Sequence, residues 1–413
     1  MLYLYKSDCM TTLHINYYRN SSTLCEIGAT YDTDKSSQRK NVTDTRHCHP
    51  YTLFYDGLFK SKKDASLKIA ELGILDGASL RMWREYFTNS SLYGFEYNTA
   101  LIDQFKNNDS NERVTLATID VTNKDSIVNA FHNMNEQYDI IIEDTTHQFE
   151  DQIRVVENIH SYLKPGGVLI VEDIFKSYHE QSYIDRLQPI LHHFQDYYFV
   201  ELDHVNRNST GWNNDKLLVL VKGGAEPMFK SATKLTLITP SYRTTNLPQL
   251  QQSIDFNYVD EWLIVYDGSK IKENPNLFGD HPKIKEIVHQ SEGISGNPQR
   301  NFALSQISHP DTLLYYLDDD NVIHPDLYRL LNIVDSTRMY TFNQLDRIKG
   351  NNVVVGGIDT AMALIPYQPS KDVRWIHDRY EADGFYIRNC YEINIDRHVY
   401  VDNDLCYYNK LSA

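Results

Sequence analysis

The stretch YYLDDDNVIHPD, Tyr315–Asp326, sets Asp318, Asp319 and Asp320 side by side at the end of an apolar run. Carboxylates packed that closely resist ionising together unless a cation sits among them. Milder versions of the pattern occur earlier. IIIEDTTH carries Glu143, Asp144 and His147, and VLIVEDI carries Glu172 and Asp173. A further group, ELGILDGASL, places Glu71, Gly73 and Gly77 where a strand would turn into a helix. Glycines there let a backbone approach a ligand closely. The dinucleotide pattern G-x-G-x-x-G is absent, so a pyrophosphate cradle is not expected.

These acids need strand ends to carry them, and the surrounding pattern supplies such ends. From about Leu67, the short apolar runs LKIAELG, SLYGFE, RVTLATID, YDIIIED and GVLIVEDI alternate with amphipathic stretches. Ile153, Val156, Ile159, Tyr162 and Leu163 have helical spacing before the turn KPGG. Repeated strand–helix–strand implies a parallel sheet covered on both faces, with ligands in the crevice at the strands' carboxyl ends. YYFVELD and KLLVLVK follow without a clear helix between them and read as a hairpin closing the edge. KGGAEPMFKSATK, residues 222–234, has no periodicity and reads as a linker. Alternation then restarts with KLTLITPSY, EWLIVYDGS, PQRNFALSQI and TLLYYLDDDN, and later NNVVVGGI and HVYVDNDLCYY.

At 413 residues the chain suits two or three domains. A net charge of −16 would repel a phosphate backbone, and no basic stripe reverses it locally, so nucleic acid is not an expected partner. Cys9, Cys25, Cys48, Cys390 and Cys406 are scattered and lack a CxxC pair, which favours free thiols in a reducing compartment. The opening residues lack a long apolar region, so no signal peptide or membrane span is expected, and a cytoplasmic protein is. The oligomeric state stays open, a homo-oligomer included.

The pattern E-x-G-x-x-x-G, with Glu96 ending the second strand and Asp120 the third, resembles class I S-adenosylmethionine (SAM)-dependent methyltransferases. That resemblance implies cofactor contacts from Glu71, Gly73, Gly77, Glu96 and Asp120, with Glu96 gripping the ribose hydroxyls. EDTTHQFEDQ followed by LKPGGVLIVEDI, and the earlier YDTDKSS…HCHPYTLFYDGLF, resemble the metal-dependent sugar O-methyltransferases of macrolide biosynthesis and a wider rhamnosyl-methyltransferase-like group. The insert between Lys35 and His49 is longer than that group's. The match implies Asp144, Glu172 and Asp173 as metal ligands and His147 as general base. Hard oxygen ligands without cysteine favour Mg²⁺ over zinc. An imidazole, with an ordinary pKa near ~6.5, takes a proton near neutrality.

TLITPSYRTTN, LIVYDGS, GNPQRNFAL and YYLDDDN together resemble the family-two, GT-A fold nucleotide-sugar glycosyltransferases. The resemblance implies Pro240, Tyr242 and Asp267 at the nucleoside, and Arg300 and Asn301 beside the diphosphate. Asp318, Asp319 and Asp320 would hold Mn²⁺ or Mg²⁺, with Asp318 and Asp320 the expected pair. WIHDRYEADGFYIRN resembles the segment bearing the acceptor-side base of inverting members, which points to Asp383 first and Glu381 second. This half is shorter than most members of that family.

The expectation is therefore an α/β chain of two tandem α/β domains. Residues 1–24 form an extension, 25–224 a seven-stranded Rossmann-like methyltransferase, 225–233 a linker, and 234–413 a short GT-A-like nucleotide-sugar domain. The expected function is O-methylation of a sugar hydroxyl with SAM, coupled to inverting sugar transfer from a nucleotide-sugar donor to a glycan or glycolipid in surface-glycan biosynthesis. One rival makes the second half a non-catalytic carbohydrate-binding module, and another makes the methyl acceptor a catechol-like small molecule.

Overall fold

The computed structural model describes residues 12–39, 47–109, 111–209 and 211–411. Cys9 and residues 40–46 of the long insert lie outside them. The chain divides into two compact units between Ser231 and Ala232, and residues Ile15–Asn20 belong with the second. Among the described residues no helix is long and apolar enough to cross a membrane. Cys25, Cys48, Cys390 and Cys406 are free and buried.

A short strand, β1 (Thr12–Asn16), precedes the first unit's sheet. That sheet is built from β2 (Lys68–Leu72), β3 (Ser91–Glu96), β4 (Val114–Thr118), β5 (Tyr138–Glu143), β6 (Leu163–Val171), β7 (Phe194–Asp203) and β8 (Lys216–Lys222). Their order is β7-β8-β6-β5-β2-β3-β4. β2 to β6 pair in parallel, and β8 pairs antiparallel with both β6 and β7. The last two strands thus pair antiparallel, but the later one, β8, inserts between β6 and β7. Both faces of the central strands are covered, which is why Tyr138–Glu143 is buried throughout. Helix Phe149–Ile159 turns Ile153, Val156 and Ile159 into that core, with Glu150 and Asp151 in its first turn, where the helix dipole favours negative charge. This is an α/β, Rossmann-like fold. Parallel strands end at one edge, so Glu71, Glu96, Asp144, Glu172 and Asp173 are delivered to the same side of the sheet.

The stretch expected as a linker, 225–233, is tied to the first unit at Met228 and Phe229. Met228 N donates to Gly166 O (2.8 Å), and the Phe229 ring packs edge-on against Phe59 (5.2 Å between centroids) within the first unit.

The second unit contains β9 (Lys234–Ser241), β10 (Glu261–Asp267), β11 (Ile284–His289), β12 (Thr312–Tyr316), β13 (Met339–Gln344), β14 (Ala363–Pro366) and β15 (His398–Cys406), in the order β11-β10-β9-β12-β14-β13-β15. β9 to β12 are mutually parallel where they pair, and β14 runs antiparallel to β12 and β13. Ile15 and Asn16 of β1 pair antiparallel with Val401 and Tyr400. NNVVVGGI, read as an element from its apolar content, forms turns instead. Gly356 holds a left-handed φ of +79°, which ends any regular run there.

Candidate functional site

In the first unit a cavity of ≈ 550 Å³ opens at the carboxyl edge of the sheet, lined by Gly73, Leu75, Glu96, Asp120, Asp144, His147 and Asp173 among others. Gly73 has φ +85°, and a Cβ there would collide with the Asp144 carbonyl oxygen, so only glycine lets the strand turn pass. Gly77, φ +80°, begins helix Ala78–Tyr86 against the Phe105 ring. Glu96 is held rigid at the cavity wall: Leu75 N donates to Oε2 (3.0 Å) and Asn98 N to Oε1 (2.9 Å). Asp120 accepts from Thr122 N (3.0 Å) and Thr122 Oγ1 (2.7 Å). Glu71 lies beneath the cavity and is fully buried, accepting from Ser79 Oγ at 2.9 Å. Burial pushes its carboxyl up to about 7, against the pull of Lys35.

Beside this cradle, Asp144, His147 and Asp173 converge, with one ligand atom of each within 4.8 Å of the others. His147 Nδ1 lies 3.7 Å from Asp144 Oδ1, and His147 Nε2 lies 3.6 Å from Asp173 Oδ2. Nδ1 is buried without a hydrogen-bond partner. Glu172, the third expected ligand, is not among the converging atoms. Lys35 Nζ donates to its Oε2 (2.5 Å) and Tyr55 Oη donates to its Oε1. Lys35 also donates to Asp144 Oδ2 and lies 3.6 Å from Glu71 Oε1. Burial would lower the lysine, but Asp144, Glu172 and Glu71 outweigh it and hold the ammonium well above its ordinary value. Burial likewise would raise Asp144, yet Lys35 and His147 hold it below the usual carboxylate range. Glu172 is pushed upward by burial, with Lys35 opposing.

Asp173 has its own partners. Tyr51 Oη donates to Oδ1 (2.5 Å), and His49 Nε2 stands 3.8 Å from the same oxygen. His49 stacks on Tyr51 (4.8 Å) and bonds Asp215 Oδ1 through Nδ1 (2.8 Å). Burial opposes the His49 charge, but Asp173 and Asp215 push it up to about 9. Lys35, His49, Tyr51 and Tyr55 carried no role in the sequence reading. The one signal for them was the DKSS…HPYTLFY segment itself, since local spacing cannot show which strand end it meets.

A divalent cation fits this arrangement. Two carboxylates and an unpartnered buried imidazole nitrogen converge on one point, with oxygen and nitrogen donors and no thiol. The cradle at Gly73, where no side chain has room, and the braced Glu96 fit a nucleoside cofactor in the same way.

In the second unit, the aspartate run already has cationic partners. Arg243 donates from Nε to Asp319 Oδ1 (2.7 Å), and its Nη2 reaches Asp319 (2.6 Å) and Asp320 (2.8 Å). Arg300 Nη2 donates to Asp318 Oδ1. Two guanidiniums are therefore cations that sit among these carboxylates and offset the repulsion. Asp319 is further committed, accepting from Ser241 Oγ, Tyr242 N and Arg243 N at 2.8–3.0 Å. Of the three side chains, Asp318 is the most open, at 35% exposed, and Asp320 is at 10%.

Arg300 is buried and lies over Trp375 (4.5 Å to the ring centroid). Asn301 spends both amide ends on the Trp375 backbone at 2.8 Å, bracing that loop. Tyr242 is half exposed, with Lys270 Nζ 3.6 Å from its ring centroid, and Asp267 accepts from Ser269 N (2.9 Å) and Oγ (2.6 Å). Pro240 is buried against Gly296. Asp383 sits in the first turn of helix Ala382–Ile393 and accepts from Gly384 N (2.8 Å), while Glu381 is the exposed residue at its start. Burial pushes Asp383 up to about 6; Asp359 and Asp318 add to the rise and Arg300 opposes it.

Residues 70–174 match the family model of a methyltransferase domain. An 8-demethyl-8-α-L-rhamnosyl tetracenomycin-C 2'-O-methyltransferase of Streptomyces olivaceus is 27% identical over 146 residues, 34% of this chain and 37% of that protein. The demethylmacrocin O-methyltransferase of Streptomyces fradiae is 25% identical over 137 residues, 32% of this chain and 33% of that one. The chain thus spans about a third of the length of these relatives. The solved MycE methyltransferase with Mg, SAH and mycinamycin VI aligns over 51% of this chain and 58% of its own at 17% identity and a TM-score of 0.36. The first unit carries a methyltransferase domain that resembles the macrolide-sugar O-methyltransferases.

Proposed function

We propose that the first unit is a Mg²⁺-dependent sugar O-methyltransferase using SAM. The observation that carries this reading is the adjacency of the Gly73–Glu96 cradle to the Asp144–His147–Asp173 cluster in one cavity. Glu96 binds the cofactor's ribose hydroxyls, and Asp120 borders its adenine. Asp144 and Asp173 hold the divalent ion. SAM supplies an electrophilic methyl group, and the cation supplies positive charge that favours an ionised sugar hydroxyl. His147 accepts the proton that hydroxyl releases at one of its two ring nitrogens. The names of the relatives, which methylate sugar hydroxyls of glycosylated natural products, support a sugar acceptor over a catechol. The test is transfer of labelled methyl from SAM to a panel of deoxysugar glycosides. Activity should vanish in EDTA and return with Mg²⁺; full activity in EDTA contradicts the metal reading.

For the second unit we propose an inverting, GT-A-type nucleotide-sugar transferase, which would make the chain bifunctional in surface-glycan biosynthesis. The aspartate run at the end of β12, with Asp318 partly open, supports it, as does the raised Asp383 carboxyl within electrostatic reach of Asp318. On this reading Asp318 and Asp320 hold Mn²⁺ or Mg²⁺ against a nucleoside diphosphate, and Asp383 takes the acceptor's proton. Thermal shift with UDP, GDP and dTDP, with and without Mn²⁺, tests donor binding. A shift lost in Asp318→Asn with Asp320→Asn is expected, and no shift with any nucleotide contradicts the reading.

A further inference from the structure

Asp144 and Asp173, the two carboxylates of the converging cluster, each have one oxygen tied down from the same N-terminal segment. Lys35 Nζ donates to Asp144 Oδ2, and Tyr51 Oη donates to Asp173 Oδ1 at 2.5 Å. The opposite oxygens are the ones that face His147, Asp144 Oδ1 at 3.7 Å and Asp173 Oδ2 at 3.6 Å. Both donors are rigid. Lys35 is 2% exposed and fixed by Glu172 as well, while Tyr51 is fully buried, stacked on His49 and shared with Asn214 O at 3.0 Å. One helical turn further on, Tyr55 donates to Glu172, the neighbouring acid that is turned toward Lys35.

We propose that Lys35 and Tyr51 are positioning residues that leave one oxygen of Asp144 and one of Asp173 to a divalent cation, and so set the site's preference for a small ion. A carboxylate with one oxygen held by an N–H or O–H donor cannot swing to clasp a metal with both. Mg²⁺ and Mn²⁺ accept single-oxygen ligation at short distance, whereas Ca²⁺ draws much of its affinity from two-oxygen clasping and a larger ligand count. Partners that orient metal ligands in this way commonly matter by 10–100-fold in metal affinity. This inference rests on the metal reading given above, and it assigns positioning roles to two buried residues of the N-terminal segment.

The test uses the full chain with Asp318→Asn and Asp320→Asn in every sample, so that the second unit does not compete for Mn²⁺. Free Mn²⁺ is measured by its EPR signal during titration, alone and against Ca²⁺. The counted site is the one lost in Asp144→Asn with Asp173→Asn. Tyr51→Phe should weaken Mn²⁺ binding roughly tenfold or more and narrow the Mn²⁺ over Ca²⁺ preference, with S-adenosylhomocysteine (SAH) affinity unchanged. Tyr55→Phe, which frees only Glu172, should leave both metal readouts within about threefold on the same scale. Lys35→Met should narrow the Mn²⁺ over Ca²⁺ preference in the same direction. Because it strips the counter-charge from buried acids, the near-isosteric tyrosine change decides if the lysine variant does not fold. Unchanged Mn²⁺ affinity and unchanged selectivity in folded Tyr51→Phe overturn the inference alone. Absence of any Mn²⁺ site that depends on Asp144 and Asp173 overturns the metal reading with it.

Discussion

His147 Nε2 stands 3.6 Å from Asp173 Oδ2, and both residues hold left-handed backbone, with φ of +58° and +56°. Two other cavity-lining residues, Asp32 and Leu75, share that conformation at φ +57° and +49°. For residues other than glycine such geometry costs on the order of 1–2 kcal/mol each, and it persists where surrounding structure over-determines it. Four such residues around one cavity mark the place where the fold gives up local stability to aim side chains.

His147→Asn is therefore a cleaner probe than alanine, because asparagine tolerates the left-handed region. It should leave SAH affinity intact while lowering methyl-transfer turnover by about two to four decades, the usual share of a general base. Steady-state kinetics beside calorimetry checks both halves. Unchanged turnover moves the base elsewhere.

Leu75 is 66% exposed at φ +49°, so it has the strain and little burial to offset it. Leu75→Gly should raise stability by about 1 kcal/mol, read as a higher urea midpoint with an unchanged slope. A lower midpoint would mean that the leucine's contacts outweigh its backbone cost.

Asp383 gives a pH-dependent prediction. Burial raises its folded-state pKa from 3.8 to about 6, so the fold prefers the protonated acid. That preference is intact below the unfolded value, is lost as pH climbs through about 6, and stays lost above it. Asp383→Asn should then stabilise the protein by up to about 3 kcal/mol near pH 7.5, and by about half that near pH 5. Urea unfolding at the two values measures it. A gain that is equal at both would show that the carboxyl is not perturbed.

Asp319 and Asp320 should part company. Asp319 accepts from Ser241, two backbone amides and Arg243, so Asp319→Asn breaks a buried charged network and should cost about 3 kcal/mol or more. Asp320 meets Arg243 Nη2 at 2.8 Å, and Asp320→Asn should cost less than Asp319→Asn. Equal losses in chemical denaturation would contradict the division between a loop-bracing and a ligand-facing aspartate.

The sequence made the strand ends legible because parallel strands deliver their last residues to one edge, and the apolar runs before Glu96, Asp144 and Asp318 are short and well bounded. Partners from distant segments were not legible. Lys35 reaches Asp144 across 109 residues and Tyr51 reaches Asp173 across 122, and no periodicity encodes such pairings. Arg243 was passed over for a related reason. A basic residue in a loop reads as solvated until the acid run is placed against it. The insertion of β8 between β6 and β7 and the turns of NNVVVGGI were hidden because apolar content alone does not give strand order or exclude a loop.

If the first unit's cavity is a SAM site gripped by Glu96, calorimetric titration of SAH into the full chain reads that grip. The wild type should bind saturably. Glu96→Ala removes an ionised acceptor for two ribose hydroxyls, each charge-assisted bond being worth ~1.5–3 kcal/mol, and should weaken binding by about one to four decades. Wild-type affinity in a folded Glu96→Ala protein, or no binding by the wild type, would contradict it.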